Sequence, residues 1–284
     1  MAEDQGTRYD RIAEGYARYW APVIRPAAIR LLDDLDPMVP PTPHILDIGT
    51  GTGTLAIGAL ERWPSARVTA IDASSEMVAW ARAQAANGSA PEDGLATGND
   101  VRFATAVAFA DRLPFQDASF DLGMSSFVMQ LVPNRAAALR EARRVLRPGA
   151  PFGYAAWLRG TGEIDPPDRI LDEVLDEFGF DPPEPDSRSG DPASARAAAD
   201  GLRRAGFRNV VAREGVLAHR WTVRGYADFI EHFSEASLFD ELVARERRAL
   251  RHRLVQRLRS LRPHELRLRL PVVYVLGRAG DGPA

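Results

Sequence analysis

One short stretch limits what this chain can fold into. An apolar strand over residues 45–48 runs directly into a turn that contains Gly49, Gly51 and Gly53. Glycines at alternate positions let the backbone turn sharply and leave no Cβ between the chain and a ligand lying across it. Apolar residues at helical spacing follow over 54–63, so the turn presents free backbone N–H groups at a helix N-terminus. This geometry predicts a binding site for a nucleotide-like ligand.

Apolar runs with β-branched residues recur along the chain, and most are separated by segments of helical length. They predict six further strands, over residues 67–72, 101–105, 120–124, 151–158, 208–219 and 266–276. Strands joined by such helices pair in parallel through right-handed crossovers, which predicts a doubly wound seven-stranded α/β sheet. Ligands of these sheets bind beyond the carboxyl ends of the strands.

Helical segments are predicted on both sides of this core. Two amphipathic helices over 9–35, with a break at Pro22, precede the first strand, and a helical block separates the last two strands. We therefore expect an N-terminal helical cap at 1–36 and a core at 37–160. The remainder, 161–284, would hold the last two strands and a helical lid insertion at about 220–262, since insertions of this kind often cover the mouth of a site.

Composition excludes several kinds of chemistry. The chain has no cysteine and no lysine, which rules out thiolate nucleophiles, cysteine-based metal sites, Schiff-base lysines and the lysine of a phosphate-binding loop. No group of His, Asp and Glu has metal-ligand spacing, so a metal is not expected. The N-terminal residues lack a leader pattern and no apolar run is long enough to span a bilayer, so the sequence predicts a cytoplasmic protein.

The acidic residues around the glycine turn narrow the type of ligand. The glycines are spaced G-x-G-x-G rather than G-x-G-x-x-G, Asp47 precedes them by two positions, and Asp72 ends the next predicted strand. Together with Phe-Asp-Leu at 120–122 and Leu-Arg-Pro-Gly at 146–149, this pattern resembles class I S-adenosylmethionine (SAM) dependent methyltransferases of the small-molecule, type 11 or UbiE-like branch. The resemblance extends over residues 9–157 and implies a Rossmann-like fold with SAM as the cofactor.

The resemblance also implies roles for individual residues. The turn would wrap the methionine and ribose portions of SAM with Gly49, Thr50, Gly51 and Gly53. Asp72 would accept hydrogen bonds from both ribose hydroxyls, unless it is a helix-capping or solvated carboxylate. Asp47 would bind either the amides of the turn or the SAM ammonium group. Ser125, after the fourth strand, lies where the family places cofactor and substrate contacts.

The adenine end of the cofactor is predicted to be held in a less usual way. Ala73 and Met77 would pack against the adenine, although Met77 fits a helix-core position nearly as well. Phe109 occupies the position where the family commonly has an Asp that contacts the adenine amine. Adenine binding would then depend on stacking by Phe109 and on the backbone of Ala110, or on Asp111 from a shifted register.

Candidate catalytic residues come from the two helical segments. Residues 9–16 resemble the Y-D-x-x-A-x-x-Y helix that closes over SAM in this branch, with Tyr9 and Tyr16 near the methionine end. The alternative is an aromatic stripe that packs on the domain. An oxygen nucleophile can need a base, and the candidates are His219, His232 and Glu231. We therefore take Tyr16, His219 and His232 as candidate catalytic residues and Tyr9 as a cofactor contact.

The expected function is SAM-dependent transfer of a methyl group to O, N or C of a small apolar or aromatic metabolite. The methyl group of SAM is already activated, so transfer mainly requires that the acceptor is held in line and that water is excluded. Secondary metabolism is the expected setting and a homodimer the expected assembly.

Three alternatives stay open at this point. An RNA or protein methyltransferase would use the arginine-rich segment 203–278, although the chain has no appended RNA-binding module and several of those arginines fit the solvated face of an amphipathic helix. A non-catalytic SAM-binding protein is the second alternative. An NAD-dependent oxidoreductase is the third, and both the glycine spacing and the missing lysine disfavour it.

Overall fold

A computed structural model describes residues 5–88, 102–160, 164–181 and 190–281. The chain begins with helix α1 (Gln5–Gly15), a π-helical turn (Tyr16–Trp20) and helix α2 (Ala21–Leu35). The predicted break at Pro22 was misplaced, because the helical path changes in the π-helical turn before it. Pro22 lies in the first turn of α2, where the missing N–H of a proline costs no hydrogen bond.

Within the described residues, seven strands and eight further α-helices follow. The strands are β1 (His44–Ile48), β2 (Arg67–Asp72), β3 (Phe103–Val107), β4 (Leu122–Ser126), β5 (Pro151–Trp157), β6 (Phe207–Arg220) and β7 (Arg267–Ala279). Between them lie α3 (Thr54–Arg62), α4 (Ser75–Gly88), α5 (Arg135–Val145), α6 (Pro166–Glu177) and α7 (Ala195–Arg204). Three helices separate β6 from β7: α8 (Val223–Phe229), α9 (Ala236–Glu241) and α10 (Ala244–Leu258), with a π-helical turn (Ile230–Ser234) after α8.

The sheet has the strand order β3-β2-β1-β4-β5-β7-β6. Strands β1 to β5 pair in parallel, which confirms the predicted doubly wound α/β fold. β7 pairs antiparallel with both β5 and β6, so the expectation of parallel pairing throughout was wrong at this edge. The reason is topological: β7 returns from the helices after β6 and enters between β5 and β6, where its direction is opposite to both.

Each face of the sheet is covered by its own hydrophobic core. One core joins α2, α3, α6, α8 and α10 to the sheet through Leu31, Leu55, Val174, Tyr226 and Leu254. The other core packs α5 and α7 onto the opposite face through Leu139 and Leu202. Strand order reverses between β1 and β4, so the glycine turn after β1 lies at the switch point where ligands of such sheets bind.

Candidate active site

The glycine turn is fixed by main-chain hydrogen bonds to the end of β2. The amides of Gly49 and Thr50 both donate to the carbonyl oxygen of Ile71 at 2.8 Å. The amide of Gly51 donates to Oδ2 of Asp72 at 2.8 Å, and the amide of Gly53 closes the turn on the Thr50 carbonyl at 2.9 Å. The turn is therefore a rigid part of the sheet edge before any ligand binds.

The three glycines have positive φ angles of 71°, 53° and 89°, and each meets a different neighbour. A Cβ at Gly49 would overlap the side chain of Val128, which follows β4. A Cβ at Gly53 would lie 3.2 Å from Ala81 of α4, so this glycine allows close packing of two helices. Only at Gly51 is the added atom met by nothing closer than the Tyr16 ring, at 3.7 Å. The open face of the turn is thus the one at Gly51.

Asp47 lies at the end of β1 and is completely buried. Neither carboxylate oxygen has a hydrogen-bond partner of normal geometry among the described residues, and the buried hydroxyl of Thr50 has none either. Burial raises the pKa of Asp47 to about 7, the nearby Thr50 hydroxyl opposes this, and the charge of Asp72 adds to it. Buried polar groups without partners are rare in folded proteins, and a cation such as an ammonium group would satisfy this carboxylate.

Asp72 ends β2, is half-buried, and faces the glycine turn. Its Oδ2 accepts the Gly51 amide and its Oδ1 accepts the Ser74 amide at 3.0 Å. Burial raises the pKa of this carboxyl, while the amides of Ser74, Gly51 and Ala73 oppose the shift. A carboxylate has about four acceptor positions, so both oxygens retain capacity for ligand hydroxyl groups. Asp72 therefore does accept an amide near the start of α4, as the helix-capping alternative predicts, and it can still bind ribose hydroxyl groups.

Asp10 of α1 lies next to the site, and the sequence reasoning gave it no role. Its Oδ1 accepts hydrogen bonds from the Ser74 hydroxyl at 2.6 Å and from the Glu76 amide at 3.0 Å. The hydrogen bond from Ser74 is the main reason that the pKa of Asp10 lies below its usual range, and the Glu76 amide adds to it. Asp10 thus attaches the first helix to the N-terminus of α4, next to Asp72. The Y-D-x-x-A-x-x-Y pattern contained this residue but gave no sign of its partner.

The other predicted cofactor residues lie around the same sheet edge. Met77 is buried, and its amide donates to the Ser74 hydroxyl at 3.1 Å. Phe109 follows β3, is 40% exposed, and has the Arg112 guanidinium 5.8 Å from its ring centre. Ser125 is buried, and its hydroxyl donates to the Ile48 carbonyl at 2.8 Å, which ties β4 to β1. Ala73 and Ala110 are partly buried in the loops that follow β2 and β3.

Eight aromatic side chains form a continuous group beyond the carboxyl ends of β4 and β5, which we call the aromatic cluster. Its centre is Trp20, whose ring lies 5.5 Å from Phe229, 6.2 Å from Phe233 and 6.2 Å from Trp157. Phe127 stacks on Trp157 with the ring centres 3.9 Å apart. Contacts of 5.0–6.2 Å between ring centres add the remaining members, which are Tyr9, Tyr16 and Trp221.

The cap and the insertion meet within this cluster. Tyr16 touches Phe233 edge-on at 6.0 Å, and Tyr19 stacks on His232 at 5.3 Å. Gly15 packs so closely on the His232 carbonyl that a Cβ there would overlap it. Both contact regions are π-helical turns, a distortion that is frequent at functional sites.

The candidate bases differ in their surroundings. His232 is exposed, stacks on Tyr19, and has Nδ1 3.0 Å from the Asp228 carbonyl. His219 touches Trp221 edge-on at 4.4 Å, and burial lowers its pKa. Burial pushes the pKa of Glu231 upward, but Arg247 and Arg251 outweigh burial and hold it below the usual range. Glu231 is therefore an ion-pairing residue.

Tyr16 is the member of the aromatic cluster that packs against the glycine turn. Burial raises the pKa of Tyr16 well above its usual range, and Tyr9 and Asp72 add to the shift. Its hydroxyl therefore stays protonated and can donate or accept a hydrogen bond. Of the three predicted catalytic residues, Tyr16 is the one that packs against Gly51. The catalytic roles of all three stay predictions.

Comparison with known proteins identifies the central segment. Residues 45–149 match the family model of a methyltransferase domain. A malonyl-[acyl-carrier protein] O-methyltransferase of Geobacter sulfurreducens is 37% identical over 118 residues, which are 42% of this chain and 40% of that protein. The ubiquinone/menaquinone biosynthesis C-methyltransferase UbiE of Paracoccus denitrificans is 41% identical over 106 residues, which are 37% of this chain and 39% of that protein. This chain thus spans about two fifths of the length of these relatives.

The likeness to solved structures extends over nearly the whole chain. The crystal structure of the [4+2]-cyclase SpnF superposes with a TM-score of 0.56, covering 98% of this chain and 95% of that one at 20% identity. At this identity the likeness concerns the fold alone. The family match thus shows that residues 45–149 are similar to a methyltransferase domain, and the superposition shows that the surrounding fold is shared. The resemblance inferred from the sequence is confirmed, and relatives named UbiE support its small-molecule branch.

Two kinds of feature are absent from the described residues. No described helix is long and apolar enough to cross a membrane. No group of three or more His, Asp or Glu side chains in the described ranges could hold a metal ion.

Proposed function

We propose that this protein transfers the methyl group of SAM to O, N or C of a small apolar or aromatic acceptor by in-line displacement. The observation that carries the proposal is the position of Tyr16, which packs against the open face of the glycine turn at Gly51 and belongs to the aromatic cluster. Tyr16 thus contacts both the expected cofactor site and the aromatic cluster, where an apolar acceptor would bind.

The buried groups of the glycine turn fit the methionine and ribose parts of SAM. Among the described residues, neither the Asp47 carboxylate nor the Thr50 hydroxyl has a hydrogen-bond partner of normal geometry, and an ammonium group with its own hydrogen-bond donors would satisfy the carboxylate. Asp72 keeps free acceptor positions next to the Gly51 amide, which suits two neighbouring hydroxyl groups. When bound, SAM supplies a methyl group that is already activated for displacement.

The aromatic cluster supports an apolar or aromatic acceptor. Phe127 and Trp157 stack face to face at the ends of β4 and β5, and Trp20 lies over them from the cap. Aromatic surfaces of this kind bind flat apolar molecules, and their burial excludes water from the reacting groups. We propose that the cap and the insertion together form the lid, in line with the division at 1–36, 37–160 and 161–284, which stays a prediction.

Proton transfer needs little from this chain. Tyr16 would orient the acceptor through its hydroxyl rather than act as a base, since its pKa is raised by burial. His219 and His232 stay candidate bases for an oxygen acceptor, and a carbon or nitrogen acceptor would need neither. Phe109 would stack on the adenine with its exposed ring.

The RNA or protein alternative is disfavoured by the ion pairs of α10. Arg253 Nε lies 2.5 Å from Glu177, and Arg257 pairs with Glu173 and Glu177 of α6. Arg247 Nε lies 2.7 Å from Glu231, and Arg251 pairs with Asp228 and Glu231. Much of the positive charge of this helix is therefore neutralised within the chain. Binding to phosphate backbones needs free cations instead.

The test is a transfer assay that also measures binding. Purified protein is incubated with SAM and a panel of phenols, quinols, carboxylic acids, amines and total RNA, and S-adenosylhomocysteine is quantified. Product formed with one of the small acceptors supports the proposal, and product formed only with RNA supports the alternative. SAM binding without product for any acceptor would favour a non-catalytic SAM-binding protein.

The setting of the reaction is a separate proposal. We infer a cytoplasmic location and a role in secondary metabolism, although the UbiE relatives carry the name of quinone biosynthesis enzymes. A homodimer stays a prediction that light scattering can test. The curated relatives act as methyltransferases of named substrates, and those substrates are candidates for this chain only as members of the assay panel.

A further inference from the structure

Strands β6 and β7 form a long antiparallel ribbon at the edge of the sheet, and its register brings three arginines together. Arg220 lies directly opposite Arg267, and Ala218 lies directly opposite Arg269. Side chains alternate between the two faces of a strand, so Arg220, Arg267 and Arg269 all extend from the same face. Each of the three side chains is exposed. The small side chain of Ala218 leaves space opposite Arg269.

Like charges placed directly opposite each other destabilise a sheet. The same ribbon contains a second pair of facing arginines, Arg208 and Arg278, and this pair is compensated. Arg208 lies 3.0 Å from the Asp281 carboxylate, and Arg278 donates to the Gly149 carbonyl at 3.0 Å. Within the described part of the chain, neither Arg220 nor Arg267 has a comparable partner.

No ion pair joins the three arginines to a carboxylate of the described residues. Asp165 is close in space, but its Oδ2 accepts the backbone amide of Arg269 at 3.0 Å rather than pairing with a guanidinium group. By contrast, Arg213 of the same ribbon pairs with Asp34. The uncompensated charge is therefore confined to the end of the ribbon that carries Arg220.

These arginines line an open surface pocket of about 370 Å³. Its other lining residues are Ala218, His219, His264 and Leu268, and none of the lining residues is acidic. We call this site the arginine pocket. Because β6 runs parallel to β5, the pocket lies toward the same edge of the sheet as the carboxyl ends of β1 to β5.

We propose that the arginine pocket binds a phosphoryl-type oxyanion, either free or as the monoester of a larger ligand. Guanidinium groups present paired N–H donors that match the oxygens of a phosphate, and three of them at one pocket can neutralise a dianion. The bound anion would supply the compensation that Asp281 supplies at the other arginine pair. None of its lining residues belongs to the glycine turn, and anion binding there can be measured without methyl transfer, although the pocket shares His219 with the candidate bases of the proposed function.

The test is calorimetric titration with inorganic phosphate, pyrophosphate and glycerol 3-phosphate at constant ionic strength, since added salt screens exposed charges. Wild-type protein is expected to bind at least one of these anions, and Arg267→Gln is expected to weaken that binding roughly tenfold or more, because charge-assisted hydrogen bonds are lost. The matched control is Arg248→Gln, an exposed arginine of α10, which should bind as the wild type does. Tighter binding of the ester than of inorganic phosphate would identify a larger ligand, and the reverse a free ion.

A second measurement separates a binding site from a merely solvated patch. In anion-free buffer, Arg220→Gln should unfold at a higher temperature than the wild type, by about 1–3 °C, because the facing like charges are removed. Added pyrophosphate should stabilise the wild type and have less effect on Arg220→Gln. Failure of the wild type to bind any of the three anions, or equal binding by Arg267→Gln, would overturn the proposal.

Discussion

The Gly51 amide donates a hydrogen bond of 2.8 Å to Oδ2 of Asp72, and this bond joins the turn after β1 to the end of β2. The two features that the sequence marks most clearly, a glycine turn and an acidic strand end, are therefore one unit. Tyr16, which belongs to the cap, lies over this unit at Gly51. Asp10 of the same cap accepts a hydrogen bond from the Glu76 amide in the first turn of α4. The site thus combines residues of the N-terminal cap with residues at the ends of β1 and β2.

The close packing of Gly49 predicts a strong effect of substitution. Gly49→Ala should destabilise the protein by roughly 2–4 kcal/mol, because the residue has φ of 71° and its new Cβ would overlap Val128. Urea unfolding measures the change. The control is Gly201→Ala in α7, where nothing lies within 4 Å and a gain of about 0.5–1 kcal/mol is expected. Similar stabilities for the two variants would refute the packing argument.

Asp10 is predicted to stabilise both the fold and the cofactor site. Asp10→Ala should cost about 1 kcal/mol, because α4 loses a capping carboxylate, and should weaken SAM binding severalfold as α1 detaches. Its pKa is lowered in the fold, so this stabilisation is present above the unfolded pKa and disappears as the pH falls through the folded pKa. The control Glu14→Ala removes an exposed pair with Arg18 and should change little. Equal effects of the two substitutions would contradict this role.

The raised pKa of Asp47 predicts that stability falls as the pH rises, which is the opposite of the pH dependence expected from Asp10. Its folded pKa of about 7 exceeds the unfolded value, so the folded protein binds the extra proton and loses stability as the pH rises from about 4 to about 7. Asp47→Asn should remove this loss and be more stable than the wild type at pH 8, by on the order of 2 kcal/mol. Denaturant unfolding at pH 5 and pH 8 measures the free energy of unfolding of the wild type and of Asp47→Asn. The idea fails if Asp47→Asn and the exposed control Asp176→Asn show the same pH profile.

The contact of Gly15 with the His232 carbonyl predicts that the cap and the insertion open together. Gly15→Ala should push the two π-helical turns apart, because its Cβ would overlap that carbonyl. Amide hydrogen exchange over residues 230–234 should become faster, and SAM binding should weaken as Tyr16 shifts from Gly51. Gly201→Ala again serves as the control. Unchanged exchange over 230–234 would show that the two segments move independently.

Local patterns were sufficient for the part of the site built around β1. The strand, the glycine turn, the acid at the end of β2 and the first five parallel strands were predicted because short apolar runs and glycine spacing act over a few residues. The spacing of the glycines did not reveal their separate neighbours. Val128 and Ala81 come from distant segments, and only the packed structure shows why each glycine is needed.

Long-range contacts account for what the sequence did not reveal. The hydrogen bond between Asp10 and Ser74 spans 64 positions, and no local pattern indicates it. The antiparallel insertion of β7 depends on pairing with β5, far away in the chain. Likewise, Arg253 of α10 finds its partner Glu177 across 76 positions, so a helix that suggested a solvated face is neutralised instead.

Cofactor binding through Asp72 is the central claim, and calorimetric titration with SAM tests it most directly. The wild type should bind SAM, whereas Asp72→Ala should bind at least tenfold more weakly because it loses the acceptor of the ribose hydroxyls and the partner of the Gly51 amide. Asp176→Asn, an exposed residue of α6, should bind as the wild type does. Circular dichroism confirms that each variant is folded. Equal SAM affinity of folded Asp72→Ala and wild type would contradict the account.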